Sequence, residues 1–351
     1  MKKGFSLLSS FVAVAFIGVF APEAEPMPLE KLVQAAQREG IVNHTETRAA
    51  EVWAELEKRF NNRFGTKIKI NQLPIQAAEA VTRLREEAAV GRISMDLYRG
   101  SGSYTYMVLK AGLLAEPFDW VDTFGKIFPG IGKLVGAPRV PKNLENRIVL
   151  YDDLTKGVIY NKKLVAKNEV PRKWEELLDP KWRGRKIAVD PRGSSTYGLA
   201  LFYGKEWALD FNRKLKAQNP LFVNGTPAVA KAVSRGEALL GAGVGIKHVL
   251  EEVDIDIAAE IPLFSAARNI MPIHGSPHLN AARLWAAWYA VEGVRIMNKE
   301  FGIYDGLIEG DYEQARFAQK RGVKYKDEGL TEEDIESLAE MRSLVRKILA
   351  K

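Results

Sequence analysis

Cysteine is missing from all 351 residues, so no disulfide can staple the chain and its stability must come from a packed core. The same gap removes lipid attachment through a cysteine. Long runs of one charge are also missing: none reaches five or six residues, although Lys and Arg outnumber Asp and Glu enough to leave +7. No basic motif interleaves with aromatics, so nucleic acid is not expected as a partner. The positive excess suits an anionic small ligand or an acidic surface instead. Three enzyme signatures are absent: the Gly-x-Ser-x-Gly elbow, the phosphate-binding Gly-x4-Gly-Lys loop and the His-Glu-x-x-His helix. No catalytic residue and no cofactor is nominated, and an enzyme is not expected. Repeats and low-complexity segments are not visible.

What is present describes a well-cored globular protein, with 46% hydrophobic and 27% charged residues. Its length exceeds one ordinary domain and predicts two lobes. Lys2 and Lys3 precede an apolar run over 11–20, and Val19-Phe20-Ala21 offers a signal-peptidase site. Pro22 disfavours that cut and favours one near Ala24, so residues 1–24 are expected to be a signal peptide. The alternative, a retained anchor, is opposed by Ser6, Ser9 and Ser10 and by a stretch shorter than the ~20 apolar residues a span needs.

Beyond a Pro- and Glu-rich joint at 22–28, strand and helix patterns alternate. Helical spacing is expected over 29–39, ended by Gly40, and from Ala49 to Phe64, ended by Gly65. A third helix carries Ala77, Val81, Leu84 and Ala88, and a fourth, capped by Ser101 or Ser103, stops at Gly112. Strands are expected at 41–43, 66–72 and 94–98. The resulting βαβαβα order implies a parallel, doubly wound sheet. Two short strands, 147–151 and 157–160, are expected around a turn at 152–156. A second alternating region follows, with strands at 186–189 and 238–243 and helices at 173–178, 195–203, 205–218 and 227–235. A strand at 270–273 leads to a helix capped by Ser276 and opened by Pro277, running to Gly293. The last helix starts at a Thr331–Asp334 cap and shows Ile335, Leu338, Met341, Leu344, Val345 and Ile348 on its apolar stripe.

The run Tyr160-Asn161-Lys162-Lys163-Leu164, followed by Val170-Pro171, Trp174-Glu175-Glu176-Leu177 and Asp179-Pro180-Lys181-Trp182-Arg183-Gly184, resembles the family-1 bacterial extracellular solute-binding proteins. Within it, the ferric-ion and related anion-binding branch is the most similar. Gly112-Leu113-Leu114 with Pro117, Arg235-Gly236-Glu237 and Pro277-His278-Leu279-Asn280-Ala281-Ala282 resemble other segments of the same family. Trp174, Leu177 and Trp182 themselves are read as core packing. The resemblance implies a type II periplasmic-binding fold, two doubly wound lobes joined by a two-strand hinge. Lobe 1 is then expected at 29–146 plus 264–310, and lobe 2 at 147–263 plus 311–351. It also implies a small-molecule solute, a permease of an ATP-driven importer in the inner membrane, a periplasmic location and a monomer.

In such a fold ligands meet the loops leaving the C-terminal edges of parallel strands, where helix N-termini point at the crevice. Here those loops are 44–48, 73–76, 99–103, 190–197, 224–226 and 243–248. Two are rich in small hydroxyls and glycine, Ser101-Gly102-Ser103 and Gly193-Ser194-Ser195-Thr196, and each can present amides and hydroxyls to an anion. Arg48, Arg99 and Arg192 flank them with fork-shaped charge. Thr45, Tyr197 and Thr226 complete the candidate set. Ser and Thr serve equally well as helix caps, so that reading stands beside the ligand one. Asp152 and Asp153 suit either a ligand amine or a turn cap.

Iron sites of the family use adjacent tyrosines after the strand that follows the Gly-Glu segment. That place here reads Gly243-Val244-Gly245-Ile246-Lys247-His248, without tyrosine, and hard ferric ion wants anionic oxygen ligands. An organic anion (carboxylate, phosphate ester or phosphonate) is therefore preferred. Ferric ion, with Tyr197 or Tyr203 in another arrangement, is the alternative, and a diverged enzyme or a sensor subunit is a further one. His274 and His278 are separated by Gly275 and Pro277, which favours a cap turn over a metal pair.

Overall fold

The computed structural model describes residues 27–192 and 196–350. The expected signal peptide, Ser194 and Ser195 lie outside the described residues. Ten strands are seen: β1 Ile41–His44, β2 Lys69–Gln72, β3 Leu97–Ser101, β4 Val149–Asn161, β5 Ile187–Val189, β6 Leu221–Phe222, β7 Leu240–Val244, β8 Ile255–Ile257, β9 Leu263–Pro272 and β10 Tyr325–Asp327. They pair in the order β2-β1-β3-β9-β4-β7-β5-β6, with β10 against β9 and β8 against β4. Neighbours β1, β2 and β3 run parallel, as do β5, β6 and β7, while β9 and β4 are antiparallel to each other, β9 to β3, and β4 to β7 and β8; β10 runs parallel to β9.

Two long strands therefore run from one half of the molecule into the other. Residues Val149 to Lys156 of β4 pair with β9, and its second part pairs with β7 and β8. The expected turn at 152–156 is not there: β4 is one strand of 13 residues. Asp-Asp-Leu-Thr-Lys resembles a turn only while its charges lack partners. Asp152 meets Arg268, the Gly306 amide and Gln314, and Asp153 meets Arg139 and the Ile308 amide. Gly157 is needed for close approach, because a Cβ there would stand 2.1 Å from Leu263 Cδ2.

Three apolar clusters hold the molecule. The first draws on residues from Leu32 to Tyr151 and from Ile270 to Leu330, with Trp285, Trp288 and Phe60 at its centre. The second contains Trp174, Leu177 and Trp182 together with Leu338, Met341 and Val345 of the last helix, Glu332–Ala350. A third lies across the same half, around Ile159, Val233 and Ile246. Tyr312 and Ala315 pack into the first cluster, and Ile308 and Ala318 into the third, so this segment ties the halves together.

Several helix ends differ from expectation. Helix Ser103–Lys110 starts after Gly102, and no side chain caps it. Ser276 caps no helix: its hydroxyl donates to Asp96, and helix Leu279–Trp288 begins three residues later. Gly293 does not end that helix, which passes through a wide turn at Tyr289–Gly293 into helix Val294–Phe301 and stops at Gly302. Continued burial of Val294 and Met297 outweighs the glycine's preference for a terminus. Thr331 does cap the last helix, its hydroxyl accepting from the Asp334 amide at 3.2 Å.

Candidate functional site

Two cavities lie along the crossing strands. The first, about 250 Å³, opens between Ser101-Gly102-Ser103-Tyr104 at the start of helix Ser103–Lys110 and the face of the last helix that carries Ile335, Leu338, Ala339 and Arg342. Tyr197 and Glu328 form another wall. The second, about 230 Å³, is lined by Gly225, Thr226 and Pro227 at the start of helix Thr226–Ser234, and by Arg192, Lys247 and His248. Leu154, Lys156 and Arg342 line both.

Lys156 is the most telling of these groups. Its side chain projects from β4 and is only 7% exposed, yet no carboxylate of the described residues lies within ion-pair distance. Its ammonium reaches the Tyr197 hydroxyl at 3.4 Å and sits over the Tyr197 and Phe264 rings, 4.7 and 5.2 Å from their centres. Burial pushes the ammonium down to about 8, while Glu328 partly opposes the shift. Glu328 itself accepts from the Tyr197 hydroxyl. Burial, and then that carboxylate, keep the Tyr197 phenol protonated well above its usual range. Arg342 stacks on the other part of the site, 5.2 Å from the Tyr197 ring centre.

Most acids near the cavities are already matched. Asp153 is held by Arg139 through bonds of 3.0 and 2.7 Å, and Asp190 takes a fork from Arg192 at 2.9 and 2.8 Å. Gly245 lets the turn after β7 lie against β4: a Cβ there would fall 1.8 Å from the Thr155 carbonyl oxygen. The Thr155 hydroxyl then accepts from the Ile246 amide, which sets the position of Lys247.

The candidate residues from the first-strand loop lie elsewhere. Thr45 is buried, its hydroxyl accepting from the Arg99 amide at 2.8 Å. Arg48 pairs with Asp305 and lies 3.5 Å from Glu46, and Arg99 Nε is 3.5 Å from the same carboxylate. Arg268 joins this network through Asp152 and Asp305, and Lys247 reaches Asp305 at 2.5 Å. Burial opposes charge on Asp305, but Arg48, Arg268 and Lys247 hold its carboxyl below the usual range. Neither cavity is lined by Thr45, Arg48 or Arg99. Thr196 is also turned inward, donating to Asn212 at 2.6 Å. Ser101, Gly102, Ser103 and Tyr197 line the first cavity, and Arg192 and Thr226 the second.

Lys156, Arg342, Lys247 and Glu328 were not nominated from the sequence. Arg342 left a trace: it continues the Ile335, Leu338, Ala339 face at helical spacing, an arginine in an apolar register. Lys156 left none, because its segment reads as a polar turn.

Residues 137–243 match the family model described as bacterial extracellular solute-binding protein. This stretch of the chain is similar to that family. An uncharacterized protein of Haemophilus influenzae is 24% identical to the chain over 130 residues, 34% of this chain and 37% of that protein, so little more than a third of that relative is spanned. Iron-bound HitA of Pseudomonas aeruginosa superposes with a TM-score of 0.66 at 19% identity, over 88% of this chain and 99% of HitA. The apo ferric ion-binding protein A of Pasteurella haemolytica gives 0.68 at 17% identity, over 88% and 98%. The chain thus shares the two-lobed type II fold of these proteins. In it, β7 ends at Val244 and the following residues, through His248, include no tyrosine. Among the described residues no three His, Asp or Glu side chains gather as a metal site. His278 bonds to Asp96, and His248 to Glu251 and Thr226.

Proposed function

We propose that the protein captures a small anionic solute between its two halves and delivers it to the permease of an ATP-driven importer. The observation that carries this reading is Lys156, a buried cation with no carboxylate of the described residues within ion-pair distance, standing with Arg342 in the common wall of two cavities. A buried unpaired charge is costly, and an anionic guest removes that cost by replacing lost hydration with charge-assisted hydrogen bonds. The family match supports the role in solute uptake, and a periplasmic location with 1–24 removed as a signal follows from that reading. Binding rather than turnover is its outcome, so the guest should be recovered chemically unchanged. Calorimetry against carboxylates, phosphate esters and phosphonates tests it. Expected is saturable binding that Lys156→Met weakens at least about tenfold, the loss of one charged contact. A panel without any binder would overturn it.

A second reading, ferric ion as cargo, is favoured by the iron-bound state of HitA and the name of the Pasteurella protein. In this chain Tyr197, Tyr104 and Glu328 are the phenol and carboxylate oxygens lining the first cavity. Iron bound there would displace the phenol proton of Tyr197 and give a visible tyrosinate-to-iron absorption band. Titration with ferric nitrilotriacetate separates the readings: a band that Tyr197→Phe abolishes selects iron, and its absence beside organic-anion binding selects the first.

A further inference from the structure

The two cavities repeat one another in kind. Each is bounded by the N-terminal turn of its own helix, Ser103–Lys110 in one and Thr226–Ser234 in the other. Both helix starts leave unpaired amides and the positive dipole end toward the space. The second cavity adds Arg192, forked onto Asp190, and Lys247, paired with Asp305. Lys156 and Arg342 stand in the shared wall, with the apolar Leu154 beside them. The acids present are engaged, Glu328 with the Tyr197 hydroxyl and Asp153 with Arg139. The order along the crevice is thus a helix start with hydroxyls, then an apolar stretch with two central cations, then a second helix start flanked by Arg192 and Lys247. A guest with one anionic group would match one end and leave the other solvated or empty.

We propose that the solute is two-headed: two anionic groups joined by a short spacer, one seated in each cavity, with Lys156 and Arg342 between them. This rests on the anion reading above and narrows it. Leu154, with Leu338 and Ala339 on the first side, suits a spacer of a few methylene groups, and cavities of 250 and 230 Å³ have room for one carboxylate-sized group each. The gain from the second head is of the charge-assisted kind, and it depends on spacer length because both heads must engage at once.

Calorimetry with the dicarboxylates malonate to adipate, each paired with the monocarboxylate of equal carbon number, propionate to hexanoate, tests the idea. At least one dicarboxylate is expected to bind about tenfold or more tightly than its partner, with one molecule per chain and an optimum in length. Arg192→Met should bring the ratio of the two affinities toward one. Arg192 also forks onto buried Asp190, so thermal unfolding is measured alongside; Thr226→Val provides a second change in the same cavity that leaves that pair intact. Monocarboxylates binding as tightly as dicarboxylates at every length, or two monocarboxylates per chain, would overturn the two-headed solute and leave the anion reading standing. Failure of both series to bind would overturn the two-headed solute, and the phosphate esters and phosphonates of the wider panel would then decide the anion reading.

Discussion

Lys156 shows how one side chain can couple binding to pH. Around it stand Tyr197 and Glu328, Arg342 of the last helix, Asp190 at the end of β5, and Arg192, Lys247 and His248 across the second cavity. Its ammonium titrates near 8 in the folded protein against 10.5 for the free side chain. Between those values the unfolded chain holds the proton and the folded one does not. The stability of the empty protein therefore rises as pH climbs through that window, and the penalty of the buried charge is fully present below pH 8. Anion affinity runs the opposite way, since the guest needs the charged form. We expect affinity to be flat below pH 8 and to fall by at most one decade per pH unit above it. Calorimetry from pH 6.5 to 9.5 checks this, and Lys156→Met should remove the slope. His44 follows the same logic at acid pH. Burial among Trp53, Trp285 and Tyr289 pushes its imidazole down to about 4, and Trp285 Nε1 donates to Nδ1 at 3.1 Å, which puts the neutral proton on Nε2. Its depressed value means stability present above pH 6.5 is lost progressively between 6.5 and 4, by about 3 kcal/mol. Denaturant midpoints at pH 7 and pH 4.5 should differ less in His44→Gln than in the natural chain.

At the scale of elements, β4 and β9 are joined across the molecule by a buried ion pair. Asp152 is fully buried and receives Arg268 Nε at 2.7 Å. Removing the arginine alone, as in Arg268→Met, strands a buried carboxylate and should cost about 3–5 kcal/mol. Replacing both, Arg268→Met with Asp152→Leu, should cost clearly less than the sum of the two single changes, because no unpaired charge then remains. Thermal unfolding of the four proteins measures this. Additive losses would mean that the pair does not act as a unit.

For the whole molecule, Asp305 is the point where three parts meet. It takes Arg48 from the loop after β1, Arg268 from β9 and Lys247 from helix Ile246–Glu251 after β7. Segment 305–308 is fastened to β4 by bonds from the Gly306 and Ile308 amides to Asp152 and Asp153. Lys247 is thus a charged tie between the second half and the strand pair that both halves share. Losing it should shift the population toward open forms, since closure depends on the free-energy difference between the two states. In solution scattering, unliganded Lys247→Met is expected to show a larger radius of gyration than the natural protein. Saturating anion, at about 100 times its Kd, should stabilise the natural chain by about 2.7 kcal/mol. An unchanged radius would show that the tie does not govern closure.

Helical spacing from Ala50 to Phe64 and from Glu332 to Ala350, the alternation of strand and helix, and the run from Tyr160 to Gly184 were legible in the chain itself. Each depends on residues within one or two turns of each other, and local periodicity reports burial of one face. Turn-like residues at 152–156 misled because the groups that keep them in a strand, Arg139, Arg268 and the 305–314 segment, are remote or unordered in sequence terms. The same reason hid Lys156 and Arg342 as neighbours, and it gave Arg48 and Arg99 carboxylate partners of the chain's own in Glu46 and Asp305. Periodicity specifies which face of an element is apolar. Which charge faces which cavity is decided only when distant segments pack, because Coulomb pairing and desolvation depend on distances in space.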